Sequence, residues 1–372
     1  MSSGRLRRSR SASSKTLSAM NSPHRAVLRL SVLDQAPISQ GSTGSDALHN
    51  SIDLSRLVDG LGYHRYWVAE HHGTPMLASP SPEALIGPIA AATSRLRVGS
   101  GGVMLPHYSP LKVAETFSML SGLFPGRIDL AVGRAPGSDP TTAIALQRDR
   151  RQLAPDDFPD QLVELLAYLG GHLPADHPFA GLATLPGRPH RPEPWLLGSS
   201  PQSGIWAAEL GLPYAFADFI QPAGAAVAAR YRKDFTRSEW SAVPRVIVCG
   251  WALCAETDAE AERLAASHRM AMALFFRGRL EPVPPVETAL RFLADQGGPS
   301  GALPAGRRAI IGSPSTVRAG IEALASEYGA EEVMVLTTTY EHAARRRSYE
   351  LIAEEFGLRR SATLAEAAVP SA

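Results

Sequence analysis

The sequence predicts an α/β protein, a (β/α)8 barrel of the TIM type with insertion loops at its C-terminal face. Three observations predict it. Eight short apolar runs of strand character recur along the chain, and most are followed by a helical pattern, the spacing of parallel βα units. Eight such units close a barrel more naturally than they form an open sheet. Three of the runs end in chemistry that a barrel keeps where strands stop: Glu70-His71-His72, Gly99-Ser100-Gly101-Gly102 and Gly133-Arg134. A doubly wound sheet is the rival, but it wants a G-x-G-x-x-G turn after its first strand, and Asp34-Gln35-Ala36-Pro37-Ile38 stands there instead.

The elements follow in order. Arg29 to Leu33 is the first strand. His49 to Leu61 reads as a helix, with Ile52, Leu54, Leu57, Val58 and Leu61 near helical spacing and Gly62 to stop it. Arg65 to Ala69 is the second strand. Glu83 to Thr93 is a small-residue helix with Pro82 in its first turn. Arg97 to Leu105, the amphipathic helix Pro110 to Leu123, and Arg127 to Val132 complete four units. Gly137 to Gln152 is a polar, partly helical insert; Phe158 to Leu169 is a helix; and His172 to Pro194, dense in Pro, His and Gly, is a long loop. Strands return at Trp195 to Gly198, Tyr214 to Ala217, Arg245 to Ala252 and Glu332 to Thr337. Helices run from the Ser199–Ser203 turn to Leu210, and over Ala223 to Phe235, Asp258 to Phe276, Val286 to Gln296, Pro314 to Tyr328 and His342 to Phe356.

Of 372 residues, 44% are hydrophobic, enough for a sizeable core, and no apolar run reaches the roughly 18 to 20 residues that a membrane helix needs. The formal net charge of +1 hides an asymmetry: residues 1–25 hold six basic and no acidic residues, so the remainder carries 31 basic against 36 acidic, a net of −5. A mildly acidic body gives no reason to expect nucleic acid. The Ser- and Arg-rich start has no apolar core of a secretory signal and reads as a disordered basic tail over residues 1–26. The barrel domain is expected over 27–358, with a fraying Ala-rich tail over 359–372. Cys249 and Cys254 are not spaced as a zinc or redox pair and read as free thiols in a reducing, cytoplasmic setting.

Each motif has a plain reading beside the functional one. His71 at the barrel mouth suits an acid, a base or a donor to a bound oxidised group; otherwise one of the two His caps a helix. Adjacent His side chains diverge on a strand, and with no H-x-H or H-E-x-x-H pattern no metal site is expected. Three glycines in Gly99–Gly102 mark a bulge or a close approach to a ligand. Arg134 suits a phosphate or a surface ion pair. Ser199, Ser200 and Ser203 open a helix and give more hydroxyls than one N-cap requires, so the turn suits an anion. Without G-x-x-x-x-G-K-[ST], nucleoside triphosphate is disfavoured.

Together these strings resemble the bacterial luciferase-like flavin-dependent monooxygenases, in particular oxygenases of natural-product clusters. The resemblance covers roughly Leu30 to Phe356. It rests on Leu33-Asp34-Gln35-Ala36-Pro37, Glu70-His71-His72, Gly101-Gly102-Val103-Met104-Leu105-Pro106, Gly126-Arg127-Ile128-Asp129-Leu130, Gly133-Arg134, and Leu197-Gly198-Ser199-Ser200 with Trp206-Ala207-Ala208-Glu209-Leu210-Gly211-Leu212-Pro213. It implies a homodimeric (β/α)8 barrel that takes reduced FMN, supplied by a separate NAD(P)H-flavin reductase. With O2 it would oxygenate a small-molecule substrate through a flavin hydroperoxide. It implies His71 as the active-site histidine, Gly101 and Gly102 as the site of a non-proline cis peptide against the flavin ring, and Arg134, Ser199, Ser200 and Ser203 as the phosphate clamp. The family's luciferase carries an acidic residue at Ser199 and a reactive cysteine at Gly133, a departure that argues against light emission. A deazaflavin-dependent hydride transfer on the same fold, and a flavin-binding protein without turnover, are the alternatives. The loops at Gly137 to Pro155, His172 to Pro194 and Gly278 to Gly306 are expected to wall the substrate and exclude water.

Overall fold

In a computed structural model, the structure describes residues 28–134, 139–147, 150–151, 156–182, 184, 190–298 and 308–358. The expected basic start and the C-terminal tail lie outside these residues, as do parts of the three loops.

The first half alternates β1 (Arg29–Asp34), α1 (Gly44–Leu61), β2 (Arg65–Val68), α2 (Pro82–Ala92), β3 (Arg97–Met104), α3 (Pro110–Leu123), β4 (Ile128–Gly133), α4 (Pro140–Leu146) and α5 (Phe158–Gly170). The second half brings β5 (Glu193–Gly198), α6 (Pro201–Glu209), β6 (Tyr214–Ala217), α7 (Ala225–Asp234), β7 (Val246–Cys254), α8 (Asp258–Phe275), α9 (Val286–Asp295), β8 (Ile310–Gly312), α10 (Pro314–Tyr328), β9 (Glu332–Leu336) and α11 (His342–Phe356). All strand pairings are parallel. They close a ring in the order β1-β2-β3-β4-β5-β6-β7-β9 and back to β1.

The ring therefore holds the eight strands that the spacing predicts. The ninth, β8, falls where the sequence has a strand–Ser–Pro–helix form at Ile311 to Ser315, but it stands outside the ring: β7 runs past the end of β9, and its last residues, Ala252 to Cys254, pair with Ile310 to Gly312. Most boundaries fall within two residues of the sequence reading. The exception is α1, which starts at Gly44 rather than His49. Thr43 accepts from the Asp46 N–H and Asp46 accepts from the Thr43 N–H, a reciprocal cap that holds a turn with no apolar stripe of its own. β5 likewise starts at Glu193, inside the expected loop, because Asp129 and Glu193 stand in register across β4 and β5.

Side chains alternate along each strand and divide the core in two. Outward residues such as Val32, Val68, Leu130 and Val248 pack against the helix ring. Inward residues, Leu33, Trp67, Ala131, Trp195, Ile247, Met334 and Leu336 among them, fill the barrel. Ala265 of α8 belongs to this inner cluster, so α8 crosses over the barrel mouth instead of lying only outside it.

The starts of the strands are closed by charge. Arg65, almost fully buried, donates to Asp129 at 2.7 Å, Glu193 at 3.0 Å and Glu332 at 2.9 Å. Asp129 also accepts from the Trp67 indole at 2.9 Å and the Arg97 guanidinium, and Ser31 donates to Glu332. Burial alone would raise the Glu193 carboxyl, but Arg65, Arg245 and Arg97 overcome it and hold it at about 2. The guanidinium groups of Arg65 and Arg245 also stack on Trp195, at 4.8 and 4.7 Å.

Candidate active site

The other end of the barrel is built differently. β2 runs into Glu70-His71-His72, and the segment behind it is pinned by backbone bonds: Ala69 N–H to the Asp34 carbonyl at 2.8 Å, His71 N–H to Ser79 at 2.9 Å, and Ala78 N–H to Ala36 at 2.9 Å. These hold the His71 ring at the wall of a cavity of about 670 Å³. Its Nδ1 is sealed from solvent and has no hydrogen-bond partner among the described residues. Burial, with a smaller contribution from His72, pushes the imidazole down to about 4, so it is neutral near pH 7.

His72 is placed differently from its neighbour. Its Nε2 lies 2.7 Å from Oε1 of Glu70, whose other oxygen accepts from the Met104 N–H at 3.0 Å. Tyr108 donates to the same carboxylate, and burial together with that charge raises the phenol well above its usual range. The motif Glu70-His71-His72 marks this strand end in the sequence, which points to a role for His71 alone. The i, i+2 pairing across a strand end was the available signal, and it needs the bend after Val68 to be known.

Gly101 and Gly102 are joined by a cis peptide bond. A Cβ at Gly101 would come within 2.6 Å of the Leu33 side chain and 2.9 Å of Trp67; one at Gly102 would come within 2.7 Å of the Ala131 carbonyl. Packing from β1, β2 and β4 therefore demands glycine here, and the β3–β4 register shifts between Gly101 and Val103. The bulge expected from the glycine run is present, with side chains of neighbouring strands filling the space.

Arg134 follows β4, and α6 follows β5, the next strand in the ring. The Arg134 guanidinium lies 5.6 Å over the ring of Trp206 on α6 and 3.7 Å from Asp156, with its side chain about half exposed. Ser200 caps α6, its hydroxyl accepting from the Ser203 N–H at 3.4 Å. The Ser203 hydroxyl is turned inward, donating to the Ser200 carbonyl at 2.7 Å and sharing a hydrogen with Tyr214 at 2.8 Å. Ser199 is half-buried at the end of β5. Ring order thus puts Arg134, at the end of β4, next to the β5–α6 turn that carries Ser199 and Ser200, turns Ser203 towards Tyr214, and leaves His71 two strands away, just after β2.

These residues fit the group that the sequence reading implied. A guanidinium beside a helix start is a donor set for a phosphate dianion, with aligned N–H groups adding to the cation. The Gly101–Gly102 segment belongs to β3, which lies between β2 and β4 in the ring. Of the three expected wall loops, the third contributes Gly278, Leu280 and Val283 to the cavity and the first contributes Asp139; the described part of His172 to Pro194 lines none of it.

Comparison with known proteins agrees with this architecture. Residues 28–332 match the model of a family described as Luciferase-like monooxygenase. A protein of Escherichia coli (strain K12) named Luciferase-like monooxygenase is 40% identical over 329 residues, covering 87% of this chain and 96% of its own. N-acetyl-S-alkylcysteine monooxygenase of Bacillus subtilis (strain 168) is 34% identical over 335 residues, covering 88% and 98%. The crystal structure of apo-MsnO8 is 42% identical, with a TM-score of 0.82, over 90% of this chain and 99% of that one.

Proposed function

Because the chain belongs to the luciferase-like monooxygenase family, we propose that it is an FMN-dependent enzyme that uses reduced flavin and O2 to insert one oxygen atom into a small organic substrate. The observation that carries this reading is the His71 ring. The ring is partly buried and neutral, and its sealed Nδ1 has no hydrogen-bond partner among the described residues, at a cavity wall on the same barrel end as Arg134 and the start of α6. A buried polar atom with nothing to bond is costly unless a bound group completes it.

Arg134 and the first turn of α6, capped by Ser200, would hold the phosphate, with Ser199 beside them. Ser203 holds that turn against Tyr214. Gly101 and Gly102 present backbone rather than side chains to the ring. When bound, the reduced flavin supplies the electrons for O2 activation, chemistry that belongs to the cofactor. His71, neutral near pH 7, donates or accepts one hydrogen bond at the reacting oxygen without bringing a charge into a dry site. Met76, Phe219 and Leu336 around it exclude water. We assign the supply of reduced flavin to a separate NAD(P)H-flavin reductase and the working unit to a homodimer in the cytoplasm; light scattering on the purified protein tests the homodimer.

Anaerobic titration with reduced FMN and with a reduced deazaflavin, followed by mixing with O2, tests the cofactor. Tight binding of FMN and O2 consumption are expected. Binding of the deazaflavin alone, with no O2 consumed, would sink the reading and favour hydride transfer.

A further inference from the structure

The cavity does not coincide with the seat assigned to the flavin. Gly101, Gly102, Arg134, Ser199, Ser200 and Ser203 are all absent from its lining. Its walls come instead from the ends of β1, β2, β6, β7 and β9 and from α8. In the eight-strand ring β3 and β7 stand four places apart, on opposite sides of the barrel. His71 on β2 is the candidate residue that reaches the cavity from the flavin side.

The far wall is one helix face. His268, Met272 and Phe275 of α8 follow at i, i+4 and i+7, a single stripe, and all three line the cavity. An outer barrel helix ordinarily buries such a stripe against the strands. Here Leu264 and Ala265 are the part of α8 that packs on the inner cluster, Ala266 and Ala273 pack with Ala289 and Leu293 of α9, and the stripe lines the cavity. The His268 ring stacks on Trp251 of β7 at 4.1 Å and 15°, which fixes the base of the stripe. The apolar lining continues outward to Ile220, Phe275 and Leu280, all exposed at the surface.

The charges in this lining are already matched. Arg269 is paired with Glu262. Arg308 bonds Glu327 at 2.7 Å and lies 3.6 Å from Asp218. Asp139 accepts from the Thr141 and Thr142 N–H groups at the start of α4. An anionic ligand would have to displace one of these partners or enter without a counter-charge, and an unpaired charge in an apolar site is costly.

We propose that this cavity is the substrate site, that the His268–Met272–Phe275 stripe sets its width, and that it admits neutral, largely apolar molecules in preference to anions. The assignment as a substrate site rests on the flavin seat at β3 to β5; the ligand preference is tested without flavin. The full chain is titrated with N-phenyl-1-naphthylamine, an uncharged dye that fluoresces in apolar pockets, and the dye is then displaced by decan-2-one or by decanoate. Saturable binding is expected, with decan-2-one competing about tenfold better than decanoate or more. Met272→Trp, which fills the middle of the stripe, is expected to weaken dye binding about tenfold or more and to leave FMN binding unchanged. Equal or better competition by decanoate, absence of saturable dye binding, or undiminished binding to folded Met272→Trp would each overturn the proposal. The ketone-to-carboxylate comparison needs no variant and stands if Met272→Trp fails to fold. Dye binding without FMN binding would remove the flavin reading and leave the ligand preference intact; FMN turnover without dye binding would do the reverse.

Discussion

The two ends of the barrel spend buried polarity in opposite ways. At the strand starts, Arg65, Arg97 and Arg245 meet Asp129, Glu193 and Glu332, and Trp67 and Ser31 donate further bonds to Asp129 and Glu332. Every partner is supplied from within. At the strand ends, the Nδ1 of a neutral His71 ring has no partner among the described residues, and the ring faces a largely apolar cavity. The first end is a plug whose charges are paired by folding, although the Trp195 indole N–H beneath Arg65 and Arg245 has no partner among the described residues. The second is a site whose groups are left for something else to satisfy. Strands of one sheet provide both, because each contributes its first residues to one end and its last to the other.

The comparison breaks first at the plug. Arg65→Leu leaves Glu332 without its main cation and loosens Asp129 and Glu193, and is expected to cost about 3–5 kcal/mol in urea unfolding. Flavin affinity of the folded fraction should be unchanged. A loss under about 1 kcal/mol would mean that the network is not a structural plug.

His71→Ala is the opposite test. Stability should hold or rise, FMN affinity should hold, and turnover should fall by about 10²–10⁴-fold, the range for a positioned acid, base or donor. Full activity would remove His71 from the chemistry. Arg134→Ala comes next: the dissociation constant for FMN should rise about tenfold to a hundredfold, as for loss of a hydrogen bond to a charged group. Riboflavin, which lacks the phosphate, should bind wild type and variant alike; an equal loss for both would refute the clamp.

A further effect is on pH. The His71 pKa is depressed to about 4 in the folded chain, so the unfolded chain takes up this proton first on acidification. The contribution of neutral His71 is complete above its unfolded value and is lost as pH falls from 6.5 towards 4, with a slope of at most about 1.4 kcal/mol per pH unit. His64 and His342 are also depressed, chiefly by burial, and act in the same direction. The difference between wild type and His71→Asn isolates the one residue: the variant should show the shallower decline, and parallel curves would show that His71 titrates normally.

The sequence by itself determined the eight ring strands, the helices between them and the strand ends that carry chemistry. Local periodicity and turn residues encode these directly, so Pro110 to Leu123 and His342 to Phe356 are read to the residue. It also marked His71, Arg134 and the Ser199–Ser203 turn, because polar groups at strand ends are visible in one dimension. What it did not contain was which groups meet. Arg65 and Glu332 are 267 residues apart and become partners only when the ring closes. Asp129 stood inside a quoted motif, but its neighbours come from β2 and β3. The glycine run marks a bulge or a ligand approach, but that Leu33 and Trp67 leave no room for a Cβ at Gly101 is decided by the neighbouring strands. Ser203 looked like one of three equal hydroxyls until Tyr214 claimed it. The overhang of α8, and with it the cavity, has no sequence signal, because a helix that covers a mouth and one that covers a wall share the same period. Closure of the barrel decides between them, since only then do strand ends define a mouth for α8 to cross.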